Sequence, residues 1–222
     1  MSFLKYNTLN IIARILRPLN RSIRNKKNYQ FIDNEVKRRF NGYDLNFENS
    51  IVIDLGANRG DFSIWAIKQG ASVIAFEPDK KAFKALFKRL GKQENFHPIN
   101  AAVSNITTFA DLYFHKNRVF DPIGYSISSS LMKDKNNIDK DNCSRVLVFN
   151  LGEFLKEFKI KLIKIDIEGA EQSIWPIIER NFANIEFLLL EIHKTNSNEF
   201  IKTVVDFIQR NNLEPKWRID WL

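Results

Sequence analysis

Segments with short unbroken runs of apolar residues alternate along this chain with segments in which apolar residues recur at helical spacing. The alternation is clearest between Ser50 and Asp79. Ile51 to Ile53 and Val73 to Phe76 are apolar runs, as in strands that helices cover on both faces of a parallel sheet. Between them, apolar residues from Phe62 to Ala66 follow helical spacing, and Gly70 supplies a helix stop. The segment therefore predicts a strand, helix and strand in succession, as in nucleotide-binding half-folds.

The same alternation continues to the carboxyl terminus. It predicts further helices over Phe83–Leu90, Leu151–Phe158, Ile174–Phe182 and Ile201–Ile208, and strands over Phe96–Ser104, Thr107–Phe114, Val146–Phe149, Leu162–Ile165, Ile185–Ile192 and Trp217–Leu222. Alternating strands and helices are typical of the α/β class. We therefore predict a Rossmann-like, mostly parallel, doubly wound sheet with helices on both faces, in which the strand at Leu162 adjoins the one at Ile51.

Residues 118–142 interrupt this pattern with a polar run rich in Ser, Lys, Asp and Asn. A long polar insertion in a compact domain is usually functional or disordered. Two interpretations remain open, a substrate-side loop and a disordered loop.

Charge separates the amino-terminal segment from the rest of the chain. The formal net charge is +8, and residues 1–40 hold ten lysines and arginines against two acids, so the remainder is balanced. Between residues 9 and 24, leucines and isoleucines share one helical face and arginines the other. We therefore predict a basic amphipathic helical segment over residues 1–45 and one larger domain over 46–222.

Three interpretations compete for the basic segment. It could be an accessory helix packed on the larger domain, a helix that lies on anionic lipid through residues 1–27, or a nucleic-acid contact. Nucleic acid is disfavoured because no aromatic residues stand among the arginines.

Composition indicates a cytoplasmic protein. No apolar run is long enough to span a bilayer, and Arg14 and Arg17 interrupt the early apolar stretch that a secretory signal would need. The single cysteine, Cys143, excludes internal disulfides and suits a reducing compartment. If the basic segment binds lipid, the protein would be peripheral at the inner face of the membrane.

Acids and glycines mark the carboxyl ends of the first two predicted strands. Asp54 ends the first strand, Gly56 and Gly60 bracket a turn containing Asn58, and Glu77 ends the second. Ligands of doubly wound sheets bind outside the carboxyl ends of the strands. An acid at the end of the second strand, here Glu77, can accept hydrogen bonds from both ribose hydroxyls. The dinucleotide-binding motif has three glycines in this turn, whereas this chain has two, which disfavours binding of a dinucleotide pyrophosphate. The spacing resembles the first two motifs of class I S-adenosylmethionine methyltransferases, in which the first acid and the glycine loop hold the methionine part. The alternative is an ordinary βαβ unit with a capping Asp and a surface Glu.

A second group of acids follows two later strands. Asp166 and Glu168 follow the strand at Leu162, and Glu191 and His193 lie on one side of the strand that begins at Ile185. A histidine beside three carboxylates at strand ends is a candidate for proton chemistry. Glu171 is interpreted as a charge at the positive first turn of the next helix.

The segments VIDLGANRGDFS, LIKIDIEGAE and LLLEIHK together resemble the FkbM family of S-adenosylmethionine-dependent methyltransferases. The resemblance extends from Ile51 to His193 and includes SSSL at 128–131 and VFNLGEFL at 148–155, although Gly152 and Glu153 stand where an Asp-Asp or Asp-Glu pair is common. It implies a class I methyltransferase domain over residues 46–222 and O-methylation of a hydroxyl on a sugar, glycan or polyketide-type metabolite. The cofactor-binding residues it implies are Asp54, Gly56, Asn58, Gly60, Glu77 and Asp166.

Two hypotheses describe the chemistry of the second group of acids. In the first, His193 removes the acceptor proton, Glu191 or Glu168 orients it or raises its pKa, and Asp166 holds the cofactor or the acceptor hydroxyl. In the second, Asp166, Glu168 and His193 bind Mg²⁺ or Mn²⁺, which acidifies the acceptor.

Two other classes of function remain as alternatives. A nucleic-acid amino-methyltransferase commonly carries Asn or Asp, two prolines and an aromatic residue after the fourth strand, where this chain has Asp-Ile-Glu-Gly. A non-catalytic binding module would not need the acidic residues.

Overall fold

The computed structural model describes residues 26–118, 129–193 and 197–221. The chain divides into two compact units, Met1–Asn41 and Gly42–Leu222. In the first unit, helix α1 covers residues 26–39 and carries ion pairs between Lys37 and Asp33 and between Glu35 and two arginines, Arg38 and Arg39. The predicted amphipathic face at residues 9–24 and residues 119–128 of the predicted 118–142 loop lie outside the described residues.

The second unit alternates strands and helices as the sequence predicts. In chain order its elements are β1 (Ile51–Leu55), α2 (Asp61–Lys68), β2 (Ser72–Phe76), α3 (Lys80–Leu90), β3 (Phe96–Ile99), β4 (Ala102–Ser104), β5 (Thr108–His115), β6 (Ile138–Asn150), α4 (Leu151–Glu157), β7 (Ile160–Ile165), α5 (Glu171–Arg180), β8 (Ile185–Ile192), α6 (Asn198–Arg210) and β9 (Trp217–Trp221).

Six strands form the main sheet in the order β3-β2-β1-β7-β8-β9, and every neighbouring pair is parallel. Residues of β1, β7 and β8 pack with α4, α5 and α6 in one buried cluster, while α2 packs against β1 and β2. This arrangement confirms the predicted Rossmann-like fold, including the pairing of the Leu162 strand with the first strand. The strand order reverses between β1 and β7, which is where doubly wound sheets bind their ligands.

The predicted third strand, Phe96–Ser104, is wrong because the chain leaves the main sheet after Ile99. The side-chain amide of Asn100 donates to the carbonyl oxygens of Glu77 and Pro78, at 2.8 and 3.2 Å. These bonds replace the next sheet contacts and turn the chain, so the following residues form β4 in a second sheet.

The second sheet, called the small sheet below, has the order β4-β6-β5. Strand β6 covers 13 residues instead of the four predicted, because its first half is polar and largely exposed and therefore lacks an apolar signal. It is held by antiparallel pairing with β5, and buried Leu112, Val146 and Val148 form the sheet's own core.

Among the described residues, no helix has both the length and the apolar character needed to cross a bilayer.

Candidate active site

A cleft opens at the carboxyl ends of β1, β2 and β7. One part of its wall is apolar and the other is polar. The apolar part is formed by Phe76, Ala101, Ala102, Val103, Leu112 and Leu131, and the polar part by Gly56, Asn58, Glu77, Ser130, Asp166 and Glu168. Residues of the small sheet and of the segment at 129–131 therefore complete a cleft that begins on the main sheet.

The turn after β1 depends on glycine for two separate reasons. Gly56, Asn58 and Gly60 all have positive φ angles, of 76°, 49° and 81°. A Cβ on Gly56 would lie 1.9 Å from the backbone oxygen of Asp166, so the turn passes directly against the end of β7. A Cβ on Gly60 would lie 2.4 Å from a methyl group of Leu86. Gly56 therefore borders the cleft, whereas Gly60 allows the turn to pack against α3.

Glu77 is buried and also lines the cleft. It is 5% exposed, and its carboxylate accepts hydrogen bonds from the backbone N–H groups of Asn58, at 2.7 Å, and Asp79, at 2.8 Å. Burial raises the pKa of Glu77 to about 8, although these two hydrogen bonds act in the opposite direction.

Asp54 lies below the turn and is absent from the cleft wall. It is fully buried, accepts a hydrogen bond from Ser63 Oγ at 2.7 Å, and has Lys164 Nζ 3.5 Å from its other oxygen. Burial raises the pKa of Asp54, and the Lys164 charge and the Ser63 bond oppose this. Asp54 thus joins β1 to α2. Of the predicted cofactor ligands, Asp54 and Gly60 are the two that do not line the cleft.

Lys164 is a site residue that sequence reasoning missed. Its Nζ lies 3.0 Å from the carbonyl oxygen of Gly56 and 3.0 Å from Asp166 Oδ2, so it ties the glycine turn to the acid after β7. Burial lowers the pKa of Lys164, but the charges of Asp166 and Asp54 outweigh burial and raise it. The sequence contains a signal for this role, because Lys164 stands between Ile163 and Ile165 in a predicted buried strand. A lysine buried in a strand needs nearby acceptors or acids to stabilise its charge.

The structure gathers the predicted acids around His193. From His193 Nε2, the nearest carboxylate oxygens are 3.3 Å away on Glu168 and 3.8 Å away on both Asp166 and Glu191. Burial raises the pKa of Glu191 to about 6, with a contribution from the Asp166 charge. The cluster adjoins the cleft because Asp166 and Glu168 also line its wall.

The partner of the other imidazole nitrogen is Glu171, which the sequence analysis treated only as a helix-start charge. Glu171 does begin α5, but its side chain is buried and its Oε1 lies 2.9 Å from His193 Nδ1. Burial lowers the pKa of His193, but the hydrogen bond and charge of Glu171, with the charges of Glu168 and Asp166, outweigh it and raise that pKa.

Glu168 connects the cluster to the segment before β6. Its backbone has a φ of 56°, its carbonyl oxygen accepts a hydrogen bond from Ser130 Oγ at 2.8 Å, and its carboxylate pairs with Lys135. Ser130 and Lys135 belong to the 118–142 region, which has no hydrophobic periodicity. The candidate metal ligands differ from the predicted ones: Asp166, Glu191 and His193 offer three atoms within 4.8 Å of one another, with Glu191 in place of the predicted Glu168.

Comparison with protein-family models matches residues 54–214 to the methyltransferase FkbM domain. No curated protein matches the chain in sequence. Among solved structures, the chain is similar to methyltransferase FkbM from Methylobacillus flagellatus, with 16% identity, a TM-score of 0.46, and coverage of 77% of this chain and 40% of that one.

Two further structures show similar coverage of this chain. A putative RNA methyltransferase from Pyrococcus horikoshii has 18% identity and a TM-score of 0.35 over 74% of this chain and 57% of its own. A yeast methylglyoxal/isovaleraldehyde reductase complexed with NADPH has 13% identity and a TM-score of 0.39, and the match covers 77% of this chain and 53% of the reductase. The chain spans 40% to 57% of the length of these three proteins.

Proposed function

This chain belongs to the FkbM methyltransferase family, and on that premise we propose that it transfers a methyl group from S-adenosylmethionine to a hydroxyl of a neutral sugar or glycan. One observation carries the proposal. Asp166 and Glu168 line the cleft and also lie within 3.8 Å of His193 Nε2, so a base adjoins the space available to the cofactor. The family match confirms the resemblance drawn from the sequence.

The cleft fits the proposed cofactor in its chemistry. An adenine ring would contact the apolar wall around Phe76, Val103 and Leu112, and Glu77 would accept the ribose hydroxyls. Gly56 and Asn58 would border the methionine part, with Asp166 beside it. When bound, S-adenosylmethionine supplies a methyl group on a positively charged sulfur.

We expect cofactor affinity to fall as the pH falls below about 8. Ionised Glu77 accepts the ribose hydroxyls better than the protonated acid, and the pKa of Glu77 is raised to about 8 in the free protein. Affinity for S-adenosylhomocysteine should therefore decrease by up to about tenfold per pH unit below that value. Calorimetric titrations from about pH 6 to 9 measure this. Glu77→Gln should remove the dependence, and an equal slope in wild type and variant would refute the role given to Glu77.

The chain's own residues would then prepare the acceptor. An alcohol is a weak nucleophile until its proton is removed, and His193 is a base beside the cleft, in contact with Glu168 of the cleft wall. Its raised pKa makes it a stronger base than an ordinary histidine. Asp166 and Glu191 would accept hydrogen bonds from neighbouring hydroxyls and so orient the reacting oxygen, and alignment supplies much of the rate of such reactions.

The charges near His193 favour a neutral acceptor. Asp166, Glu168 and Glu191 bring three carboxylates to the imidazole, and the described cations closest to them, Lys135 and Lys164, are paired with Glu168 and Asp166. Phosphodiesters would face like charges there, which costs several kcal/mol when the charges are juxtaposed. Sugar hydroxyls instead donate hydrogen bonds to carboxylates.

A screen for S-adenosylhomocysteine release tests the proposed acceptor class. The protein is incubated with S-adenosylmethionine and either neutral saccharides, anionic saccharides or RNA. Turnover with neutral saccharides supports the proposal. Turnover with RNA alone would replace it with the nucleic-acid alternative.

A metal-assisted mechanism is the second candidate, because Asp166, Glu191 and His193 can offer three ligand atoms to one ion. The ion would acidify the acceptor hydroxyl in place of a free base. Loss of turnover in EDTA that Mg²⁺ or Mn²⁺ restores would favour this mechanism. Full turnover in EDTA would leave His193 as the base.

A further inference from the structure

Glu171 is held rigidly at the start of α5. Its Oε1 accepts hydrogen bonds from the backbone N–H groups of Gly169, at 3.0 Å, and Ile167, at 3.3 Å, and its side chain is fully buried. A backbone N–H can only donate, so these two bonds orient the carboxylate whatever else it contacts. The same oxygen lies 2.9 Å from His193 Nδ1.

This geometry fixes the tautomer of the neutral imidazole. A carboxylate oxygen accepts hydrogen bonds, and Glu171 lies 2.9 Å from Nδ1, whereas the nearest carboxylate to Nε2, that of Glu168, is 3.3 Å away and is engaged by Lys135. The proton of the neutral ring is therefore on Nδ1. The lone pair of neutral His193 is then on Nε2, which faces Asp166, Glu168 and Glu191.

We propose that Glu171 is the positioning residue of the methyl transfer, because it holds the proton of neutral His193 on Nδ1 and so leaves the Nε2 lone pair directed at the acceptor. The inference rests on the proposed function. In the reaction the acceptor O–H proton passes to Nε2, an O–CH₃ bond forms, the S–CH₃ bond breaks, and S-adenosylhomocysteine leaves with the sulfur electron pair. His193 then returns its proton to solvent, and the buried Glu171 carboxylate stabilises the transient imidazolium.

The other two predicted partners of His193 are less suited to this role. Glu168 lies 3.3 Å from Nε2, and its carboxylate is engaged by Lys135. Glu191 lies 3.8 Å from Nε2, beyond hydrogen-bond distance. Both face the nitrogen that must accept the substrate proton, so neither can hold the opposite nitrogen.

Nitrogen NMR of the intact protein tests the inference without any acceptor or cofactor. The chain has three histidines, and the His193 signals are those lost in His193→Gln. At a pH high enough for the His193 nitrogen shifts to have reached their neutral-imidazole plateau, His193 should be protonated on Nδ1 in wild type and in Glu171→Gln, whose amide oxygen can occupy the same place. Glu171→Met has similar length but no acceptor, so it should show a mixture of tautomers. Glu168→Gln is the matched control and should keep the Nδ1 proton.

Turnover supplies the second measurement. Glu171→Met should reduce kcat about 10²-fold with little change in KM for S-adenosylmethionine, and Glu171→Gln should recover part of the loss. Wild-type His193 protonated on Nε2, or an unchanged tautomer in Glu171→Met, would overturn the inference even if that variant folds poorly or is inactive. The expected tautomers without methyl transfer to any acceptor would instead count against the proposed function.

Discussion

Replacing Gly56 by alanine is expected to destabilise the 42–222 unit by about 2 to 5 kcal/mol. The residue has a φ of 76°, which costs a side-chain-bearing residue about 1 to 2 kcal/mol. The new Cβ would also lie 1.9 Å from the Asp166 carbonyl oxygen, and overpacking of this kind typically costs about 1 to 3 kcal/mol more. Neither backbone segment can move away easily, because Gly56 N–H donates to Phe76 O and Asp166 N–H donates to Leu55 O. Urea denaturation measures the loss.

Gly42→Ala is the matched control for this substitution. Gly42 has a φ of 88°, but no atom lies within 4 Å of the place its Cβ would take. Its replacement should therefore cost only the conformational part, about 1 to 2 kcal/mol. Equal losses in the two variants would show that the contact between the glycine turn and β7 does not constrain the fold.

Replacing His193 by alanine is expected to reduce turnover about 10²- to 10⁴-fold, which is the usual contribution of a general base. Cofactor affinity should stay near its wild-type value, because His193 is not among the residues that line the cleft. Steady-state kinetics with an acceptor from the screen, together with titration of S-adenosylhomocysteine, separates the two effects.

His97→Ala serves as the control because His97 is exposed on β3. This variant should keep wild-type turnover. Near-wild-type turnover in His193→Ala would remove the histidine from the mechanism, and loss of cofactor binding in that variant would show that its main role is structural.

The sequence predicted the main sheet and the two acid groups because both depend on local signals. Apolar runs such as Ile51 to Ile53 identify buried strands, and residues just after parallel strands necessarily meet at one edge of the sheet. Asp166, Glu168, Glu191 and His193 could therefore be grouped without any knowledge of their distances.

The features that the sequence did not predict depend on contacts between distant segments. Glu171 resembles any acid at the start of a helix until the fold brings His193 to 2.9 Å from it. Asp54 has the position expected of a cofactor ligand, but Ser63 and Lys164 hold it below the turn. Similarly, the small sheet includes exposed polar residues of β6 that only pairing with β5 makes into a strand.

Calorimetric titration of the purified chain with S-adenosylhomocysteine tests the central claim, the identity of the cofactor, most directly. We predict binding with a dissociation constant on the order of 1 μM. Above about pH 8, where Glu77 is ionised, Glu77→Ala should weaken it about 10²-fold or more, because each charge-assisted hydrogen bond is worth about 1.5 to 3 kcal/mol. Exposed Glu94, just before β3, provides the control variant Glu94→Ala, which should bind like wild type. No binding by the folded wild-type protein would contradict the account of the cleft and of the acids around it.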